Sequence, residues 1–143
     1  MAGFGAEPHT FLPTAFDHMD PHWPNAPRFT RVNGRRMRYV DEGEGDPVVL
    51  LYGNPIWGYL YRDVIPPLLR AGRRVIVPDM IGFGLSEKPL REEAHSLDGR
   101  TANLTALMRK LDLMRITLVC HDWGGPTGLA FAMSNPQWTP GWW

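Results

Sequence analysis

The sequence lacks the features of disulfide-stabilised, membrane-spanning and secreted proteins. Its 143 residues contain one cysteine, Cys120, which excludes a disulfide framework and favours a reducing compartment, so a cytoplasmic location is expected. Cys120 lies in the strand that leads to a turn, where we expect it to be a small buried thiol. No apolar run is long enough to span a bilayer. Residues 1–16 have neither the basic region nor the continuous apolar stretch of a signal peptide.

The chain also lacks a block of like charge. Its 15 basic and 15 acidic residues give a formal net charge of zero, and neither sign is gathered into a patch that would follow phosphates or anionic lipid. We therefore expect neither nucleic acid nor a membrane surface as a partner. No metal-ligand spacing occurs, and Gly82-Phe83-Gly84 is not a dinucleotide motif because Glu87 stands where its third glycine is needed. No cofactor is predicted.

Alternating and aliphatic runs predict the strands. Two short alternating segments flank Asn33-Gly34, the dipeptide that best supplies a type I′ turn, and so predict a β-hairpin. Uninterrupted aliphatic runs are typical of strands covered on both faces of a parallel sheet. The hairpin segments are Phe29–Val32 and Met37–Val40, and the aliphatic runs are Val48–Leu51, Arg74–Val77 and Ile116–Val119.

Helical segments alternate with these runs. Tyr59–Arg70 predicts a helix that is short or kinked because it contains two prolines, and Ser96–Leu113 predicts a longer amphipathic one. Gly124–Ser134 predicts a third helix. Strands that alternate with helices indicate an α/β fold with parallel strands and right-handed crossovers.

Three segments are expected along the chain. Residues 1–27 contain five prolines and predict an extended N-terminal arm. Residues 28–136 carry the α/β pattern. Residues 137–143 hold three tryptophans with Pro140 and Gly141, which are poor residues for the apolar strand that should come next. The pattern therefore predicts an incomplete domain that ends after its third helix, followed by an atypical tail.

The segment from Cys120 to Gly124 carries the strongest functional signal. It places Asp122 on a tight turn between a strand and a small-residue helix, which is the arrangement of a nucleophile elbow. A serine there would indicate an esterase, whereas a carboxylate indicates attack on a carbon that bears a leaving group, through a covalent ester. Asp122 is therefore the candidate nucleophile. The alternative is an acid favoured by the dipole at a helix N-terminus.

A second turn, Gly53-Asn54-Pro55, follows the first parallel strand and is predicted to face the same cleft, because ligands of open α/β sheets lie at the carboxyl ends of the strands. In elbow enzymes the oxyanion hole uses an N–H from the residue after the nucleophile and one from an earlier loop. Here these residues are Trp123 and Asn54. Their side chains also carry N–H donors, which suits the reception of a departing anion such as a halide.

Three motifs in this order resemble the haloalkane dehalogenases of the α/β-hydrolase superfamily, and the resemblance runs from about residue 29 to residue 136. It implies that Asp122 attacks a halogen-bearing carbon, that Asn54 and Trp123 bind the leaving halide, and that no cofactor takes part. The substrate would be a small halogenated molecule. The three motifs are Gly53–Arg62, Pro78–Pro89 and His121–Gly125.

The resemblance also implies parts that these residues do not supply. The family completes its cycle with a histidine base and an acid that orients it, both beyond a helical lid. We therefore expect the chain to be a truncated, inactive form. His121 adjoins Asp122, but strand alternation points it away. The family has a histidine directly before the Gly-Asn-Pro turn, where this chain has Tyr52.

Two alternatives stay open. An epoxide hydrolase shares the aspartate elbow, although Asn54 argues against it, because that family favours an aromatic or other residue after the glycine. Opening an epoxide would also need acidic hydroxyl donors from a lid. The other alternative is a truncated α/β module without catalytic activity.

Several further residues are predicted to be structural. The loop that carries Asp79 and Ser86 is expected to fix a turn at the end of a strand. Trp57, Tyr59 and Tyr61 have the spacing of packing residues. The run Ile116–Val119, with no following strand, predicts a sheet edge with free N–H and C=O groups. Such edges recruit other chains, so we expect self-association through it.

Overall fold

A five-stranded mixed sheet lies at the centre of the protein, which a computed structural model describes for residues 28–140. The strands are β1 (Arg28–Val32), β2 (Arg35–Glu42), β3 (Pro47–Leu51), β4 (Arg74–Pro78) and β5 (Thr117–Cys120). Their order across the sheet is β1-β2-β4-β3-β5. β3 is parallel to β4 and β5, whereas β2 is antiparallel to β1 and β4. The α/β fold is confirmed, and the hairpin makes the sheet mixed. The predicted arm of residues 1–27 lies outside the described residues.

The predicted hairpin forms β1 and β2. Asn33 and Gly34 connect the strands with φ values of 49° and 80°. Both residues are therefore left-handed, as a type I′ turn requires. The twist of such a turn matches that of the strands it joins. β2 pairs with β4 on its other side.

The helices differ in length from the predictions. The segment predicted as one helix over Tyr59–Arg70 divides into a 3₁₀ turn, Gly58–Tyr61, and α1 (Ile65–Arg70), because the two prolines are tolerated in the first turn of a helix. α2 (Leu97–Lys110) ends three residues earlier than predicted, and α3 (Gly124–Ser134) agrees. Within residues 28–140, no helix is both long and apolar enough to cross a membrane.

Buried side chains cover both faces of β3 and β4. All five residues of β3 and four of the five in β4 are buried, as the aliphatic runs predict. One core cluster, on the side of α2 and α3, includes Val49, Leu107 and Phe131, and the other includes Leu50 and Tyr61. These two layers fix the end of β3, which meets the end of β5 at the candidate site.

β5 departs from the prediction of a strand covered on both faces. Val119 is 39% exposed, and Cys120, expected to be buried, is also exposed. The reason is that β5 pairs with β3 on one side and is the last strand of the sheet that residues 28–140 form. The predicted edge is therefore present in this part of the chain, and self-association through it stays a prediction.

The first residues of the expected tail pack against the domain. The Trp138 carbonyl accepts a hydrogen bond from Ile116 N–H at 2.7 Å. Its ring stacks on Phe131 with 5.9 Å between centroids, and the Arg109 guanidinium lies 5.7 Å from its ring centroid. Trp138 thus ties the segment after α3 to the start of β5.

Tyr61 links the 3₁₀ turn to the end of β3. Its hydroxyl donates to the Leu51 carbonyl at 2.5 Å, and the residue is 6% exposed. Burial, with a smaller contribution from Cys120, raises the pKa of Tyr61 from 10.0 to about 12. The folded state therefore keeps a proton that the unfolded chain loses. The stabilisation is complete below pH 10 and disappears as the pH rises toward 12.

We expect Tyr61→Phe to reduce the loss of stability at alkaline pH. A difference of two pKa units corresponds to about 2 to 3 kcal/mol of unfolding free energy. Urea titrations of both chains at pH values below and above 10 measure it. Equal pH slopes for the parent and the variant would contradict the assignment to Tyr61.

Candidate active site

Asp122 lies on a sharp turn between β5 and α3. Its φ is 53°, in the left-handed region that few non-glycine residues adopt. The turn is closed by Gly124 N–H to the His121 carbonyl at 2.9 Å and by Gly125 N–H to the Asp122 carbonyl at 2.8 Å. His121 N–H donates to the Leu51 carbonyl at 3.0 Å and so extends the pairing of β5 with β3. The backbone therefore presents Asp122 outward, as predicted for an elbow.

Two glycines let α3 lie close to the sheet behind the elbow. A Cβ at Gly124 would lie 2.6 Å from the carbonyl carbon of Leu51. A Cβ at Gly128 would lie 2.6 Å from the Cys120 sulfur. Any larger residue would push the helix, and Asp122 with it, away from the end of β3.

The carboxylate of Asp122 lies against the backbone of Gly53. A Cβ at residue 53 would overlap Asp122 Oδ2 and would lie 2.5 Å from its Cγ. Gly53 directly precedes Asn54, so the candidate nucleophile and the candidate anion-binding loop meet at adjacent strand ends. The sequence predicted this convergence, and the contact explains why position 53 needs a glycine.

The loop that carries Asn54 is a tight turn. Ile56 N–H donates to the Gly53 carbonyl at 3.1 Å, and the Asn54–Pro55 peptide bond is cis. A turn with a cis-proline at its third position is of type VI. Asn54 is exposed at the tip. The sequence pattern predicted a turn here without indicating the cis bond.

Trp123 follows the nucleophile and flanks the start of α3. It has helical dihedrals, and its side chain is 49% exposed. Its backbone N–H lies among the first N–H groups of a helix, which have no partner within the helix. Asp122, Asn54 and Trp123 are therefore all accessible at the carboxyl ends of β3 and β5.

A buried carboxylate, Asp79, lies behind the loop that carries Asn54. It is fully buried and accepts hydrogen bonds from Gly58 N–H at 3.1 Å and Leu85 N–H at 3.0 Å. The Arg38 guanidinium is 3.7 Å away. Burial raises the pKa of Asp79, while Arg38 and the N–H donors oppose that effect. A Cβ at Gly84 would overlap Asp79 Oδ2, so the loop closes tightly over this carboxylate.

Tyr52 lies beside Asp79 and is 4% exposed. Its hydroxyl accepts a hydrogen bond from Met80 N–H at 2.9 Å and lies 3.5 Å from Asp79 Oδ1. Burial and the charge of Asp79 raise the pKa of Tyr52. In the sequence, Tyr52 departs from the family pattern before the Gly-Asn-Pro turn, but nothing in the pattern indicates its contact with Asp79.

The residues predicted to be structural form the support of the site. Ser86 Oγ accepts from Arg38 N–H at 2.8 Å and donates to the Asp79 carbonyl at 2.5 Å. Trp57 and Tyr59 stack with 5.7 Å between their ring centroids. The two Ser86 bonds tie the loop after β4 to β2, and the aromatic pair packs within the segment after β3.

Neither histidine within residues 28–140 has a hydrogen bond to Asp122. His95 Nε2 lies 2.9 Å from the Pro89 carbonyl, and its ring packs on Gly82. His121 is exposed, and its backbone pairs with β3. Among the described residues, no group of three or more His, Cys, Asp or Glu side chains could hold a metal ion.

Known proteins are similar in sequence to this chain. Residues 46–137 match the family model described as alpha/beta hydrolase fold. A haloalkane dehalogenase of Psychrobacter cryohalolentis is 47% identical over 104 residues, which are 71% of this chain and 34% of that protein. A cis-3-alkyl-4-alkyloxetan-2-one decarboxylase of Shewanella oneidensis is 40% identical over 121 residues, 83% of this chain and 38% of that protein. The chain thus spans about a third of the length of the curated relatives it matches.

Solved structures share its fold. The tetrameric haloalkane dehalogenase DpaA from Paraglaciecola agarilytica superposes with a TM-score of 0.79 at 38% identity, over 85% of this chain and 43% of that one. The epoxide hydrolase VrEH1 from Vigna radiata superposes with a TM-score of 0.76 at 31% identity, over 80% of this chain and 37% of that one. The similarity therefore extends to haloalkane dehalogenases and to epoxide hydrolases.

Proposed function

The chain belongs to the alpha/beta hydrolase fold family, and we propose that it carries the nucleophile and the anion-binding residues of a haloalkane dehalogenase. The observation that carries this proposal is the contact of the Asp122 carboxylate with Gly53, which sets an exposed acid beside the Asn54 loop. A hydrolase with a serine elbow would not need such an acid. The similarity to haloalkane dehalogenases supports the same assignment.

The proposed step is a displacement at carbon. An oxygen of the Asp122 carboxylate attacks the carbon that bears the halogen. The new C–O bond gives an alkyl ester, while the C–halogen bond breaks and the halide leaves with its electron pair. The side-chain N–H groups of Asn54 and Trp123 donate hydrogen bonds to that halide as its charge develops. A small halogenated molecule and its halide are therefore the proposed ligands.

Release of the alcohol requires water and a base within hydrogen-bond reach of it. In residues 28–140, His95 is engaged by Pro89 and His121 continues the strand pairing. We therefore propose that residues 1–143 alone stop at the ester. A purified chain of this sequence would release about one halide per molecule and then cease.

A stoichiometric assay with a primary bromoalkane tests the proposal. We expect about one equivalent of bromide per chain and a mass increase equal to the alkyl group, located on the peptide that contains Asp122. Bromide release that continues beyond one equivalent would contradict the inactive state. Absence of both bromide and adduct would contradict the nucleophile.

Cys120 requires a control because its thiol also reacts with bromoalkanes and lies two residues from Asp122. Partial burial of its thiol raises the pKa of Cys120, although the residue as a whole is exposed, and this lowers its thiolate content at neutral pH. Hydroxylamine cleaves an alkyl ester but not a thioether. An adduct that persists in hydroxylamine and disappears in Cys120→Ser would assign the reaction to the thiol and overturn the proposal.

A second candidate is the decarboxylation of an oxetan-2-one, a four-membered lactone. The specific observation is that the match to the Shewanella oneidensis relative extends over 83% of this chain, compared with 71% for the Psychrobacter dehalogenase. Attack by Asp122 at C4 would break the ring C–O bond and free a carboxylate. Loss of CO₂ would then form the C3–C4 double bond and expel the Asp122 carboxylate.

The two candidates differ in their need for water. The lactone reaction regenerates Asp122 without a hydrolytic step, so repeated CO₂ release from a dialkyl oxetan-2-one would favour it. A single equivalent of bromide with no CO₂ would favour the dehalogenase. An epoxide that alkylates Asp122 faster than the bromoalkane would instead favour the epoxide hydrolase alternative, which the similarity to VrEH1 keeps open.

A further inference from the structure

We infer that Tyr52 is a positioning residue, whose hydroxyl fixes the loop that carries Asn54 at its distance from Asp122. The inference rests on the proposed function, because it assigns Tyr52 a role in the reception of the leaving anion. Neither the elbow nor the anion donors include Tyr52, which is buried behind them.

The loop between Tyr52 and Gly58 is held at its first end by the hydroxyl of Tyr52. Tyr52 directly precedes Gly53, the residue on which the Asp122 carboxylate lies. Its hydroxyl accepts from Met80 N–H at 2.9 Å, which joins the end of β3 to the segment after β4. The same hydroxyl lies 3.5 Å from Asp79 Oδ1 and is oriented to donate to it. Residue 53 therefore has little freedom to move relative to the sheet.

The second end of the loop is held by the same carboxylate. Asp79 Oδ1 accepts from Gly58 N–H at 3.1 Å, four residues after Asn54. Tyr52 and Gly58 thus meet on one buried oxygen, and the five residues between them form a closed loop. Inside this loop the turn is fixed by Ile56 N–H and the Gly53 carbonyl at 3.1 Å.

Loss of the hydroxyl would affect both ends. Met80 N–H would lose its acceptor in a buried site, and Asp79 Oδ1 would lose one of its two donors. The loop would shift or fluctuate because its remaining anchor is Gly58 N–H. This shift would move Asn54 away from the developing halide. A displacement of about 1 Å between reacting groups can cost about 100-fold in rate.

The test compares Tyr52→Phe, which keeps the ring and removes the hydroxyl, with Tyr39→Phe in β2 as the matched control. Hydrogen exchange of the whole 143-residue chain measures the anchoring without any substrate. We expect faster exchange at Met80, Gly58 and Ile56 in the first variant and no change at these amides in the second.

A leaving-group series separates positioning from general destabilisation. Single-turnover alkylation of Asp122 is measured with the chloro, bromo and iodo forms of one primary alkane. Chloride is the poorest leaving group and depends most on hydrogen-bond donors. We therefore expect Tyr52→Phe to slow the chloroalkane about 100-fold and the iodoalkane about 10-fold or less. A smaller folded fraction would slow all three equally.

The outcomes separate the two proposals. Exchange that is unchanged at Met80 and Gly58, or an equal rate loss for all three halides, would overturn the role of Tyr52. If the parent chain is not alkylated at all, the proposed function fails, and the exchange data alone decide whether Tyr52 anchors the loop.

Discussion

Replacing Asp122 with asparagine is expected to abolish ester formation with a bromoalkane. The amide has the size of the carboxylate but lacks the negative charge that makes its oxygen a nucleophile. Asparagine also tolerates the left-handed backbone at φ 53°, so the elbow should keep its shape. We expect the alkylation rate to fall by about 10³-fold or more. Bromide release and peptide mass mapping measure this loss.

The chain offers a matched control for this substitution. Asp112, at the end of α2, is an exposed aspartate with a φ of 50°. Asp112→Asn makes the same chemical change in the same backbone conformation, away from the elbow. It should leave the rate unchanged. An equal loss in both variants would indicate a general effect of charge or folding, and a retained rate in Asp122→Asn would exclude Asp122 as the nucleophile.

Local chemistry explains why much of the fold could be predicted from the sequence. Asn33-Gly34 specifies a type I′ turn, and both residues adopt the required left-handed φ. The aliphatic runs of β3 and β4 require cover on both faces, which the two core clusters supply. The same rule failed for β5, because burial of a strand depends on its neighbours in the sheet and not on its own composition.

In the candidate site, too, local features were predictable from the sequence and contacts between distant residues were not. Asp122 was predictable because the elbow is a local pattern of a strand end, a tight turn and glycines. Its contact with Gly53 followed from the rule that parallel strands end at one edge. The bonds among Tyr52, Asp79 and Gly58 were not predictable, since these residues lie up to 27 positions apart and meet through side-chain geometry alone. The position of the elbow therefore followed from the sequence and its buried support did not, while the role of Asp122 as nucleophile stays a prediction.

A substitution that separates α3 from β3 should also disrupt the elbow, without touching the nucleophile itself. In Gly124→Ala the new Cβ would lie 2.6 Å from the Leu51 carbonyl carbon and 2.8 Å from the Tyr52 nitrogen. These are backbone atoms of a buried strand end, so they cannot rotate away as a side chain could. Overpacking of this kind costs about 1 to 3 kcal/mol. The helix would also carry Asp122 away from Gly53, and alkylation should fall with stability.

Gly125, the adjacent glycine, provides a control for Gly124→Ala. A Cβ at Gly125 meets no atom within 4 Å, and its φ is not left-handed. Gly125→Ala should therefore stabilise the chain by about 0.4 to 1 kcal/mol, because alanine restricts the unfolded state. The two variants should differ by about 1.4 to 4 kcal/mol in urea unfolding, in opposite directions from the parent. If both shifted stability alike, α3 would not be held against β3 by the small size of Gly124, and the elbow would owe its position to another contact.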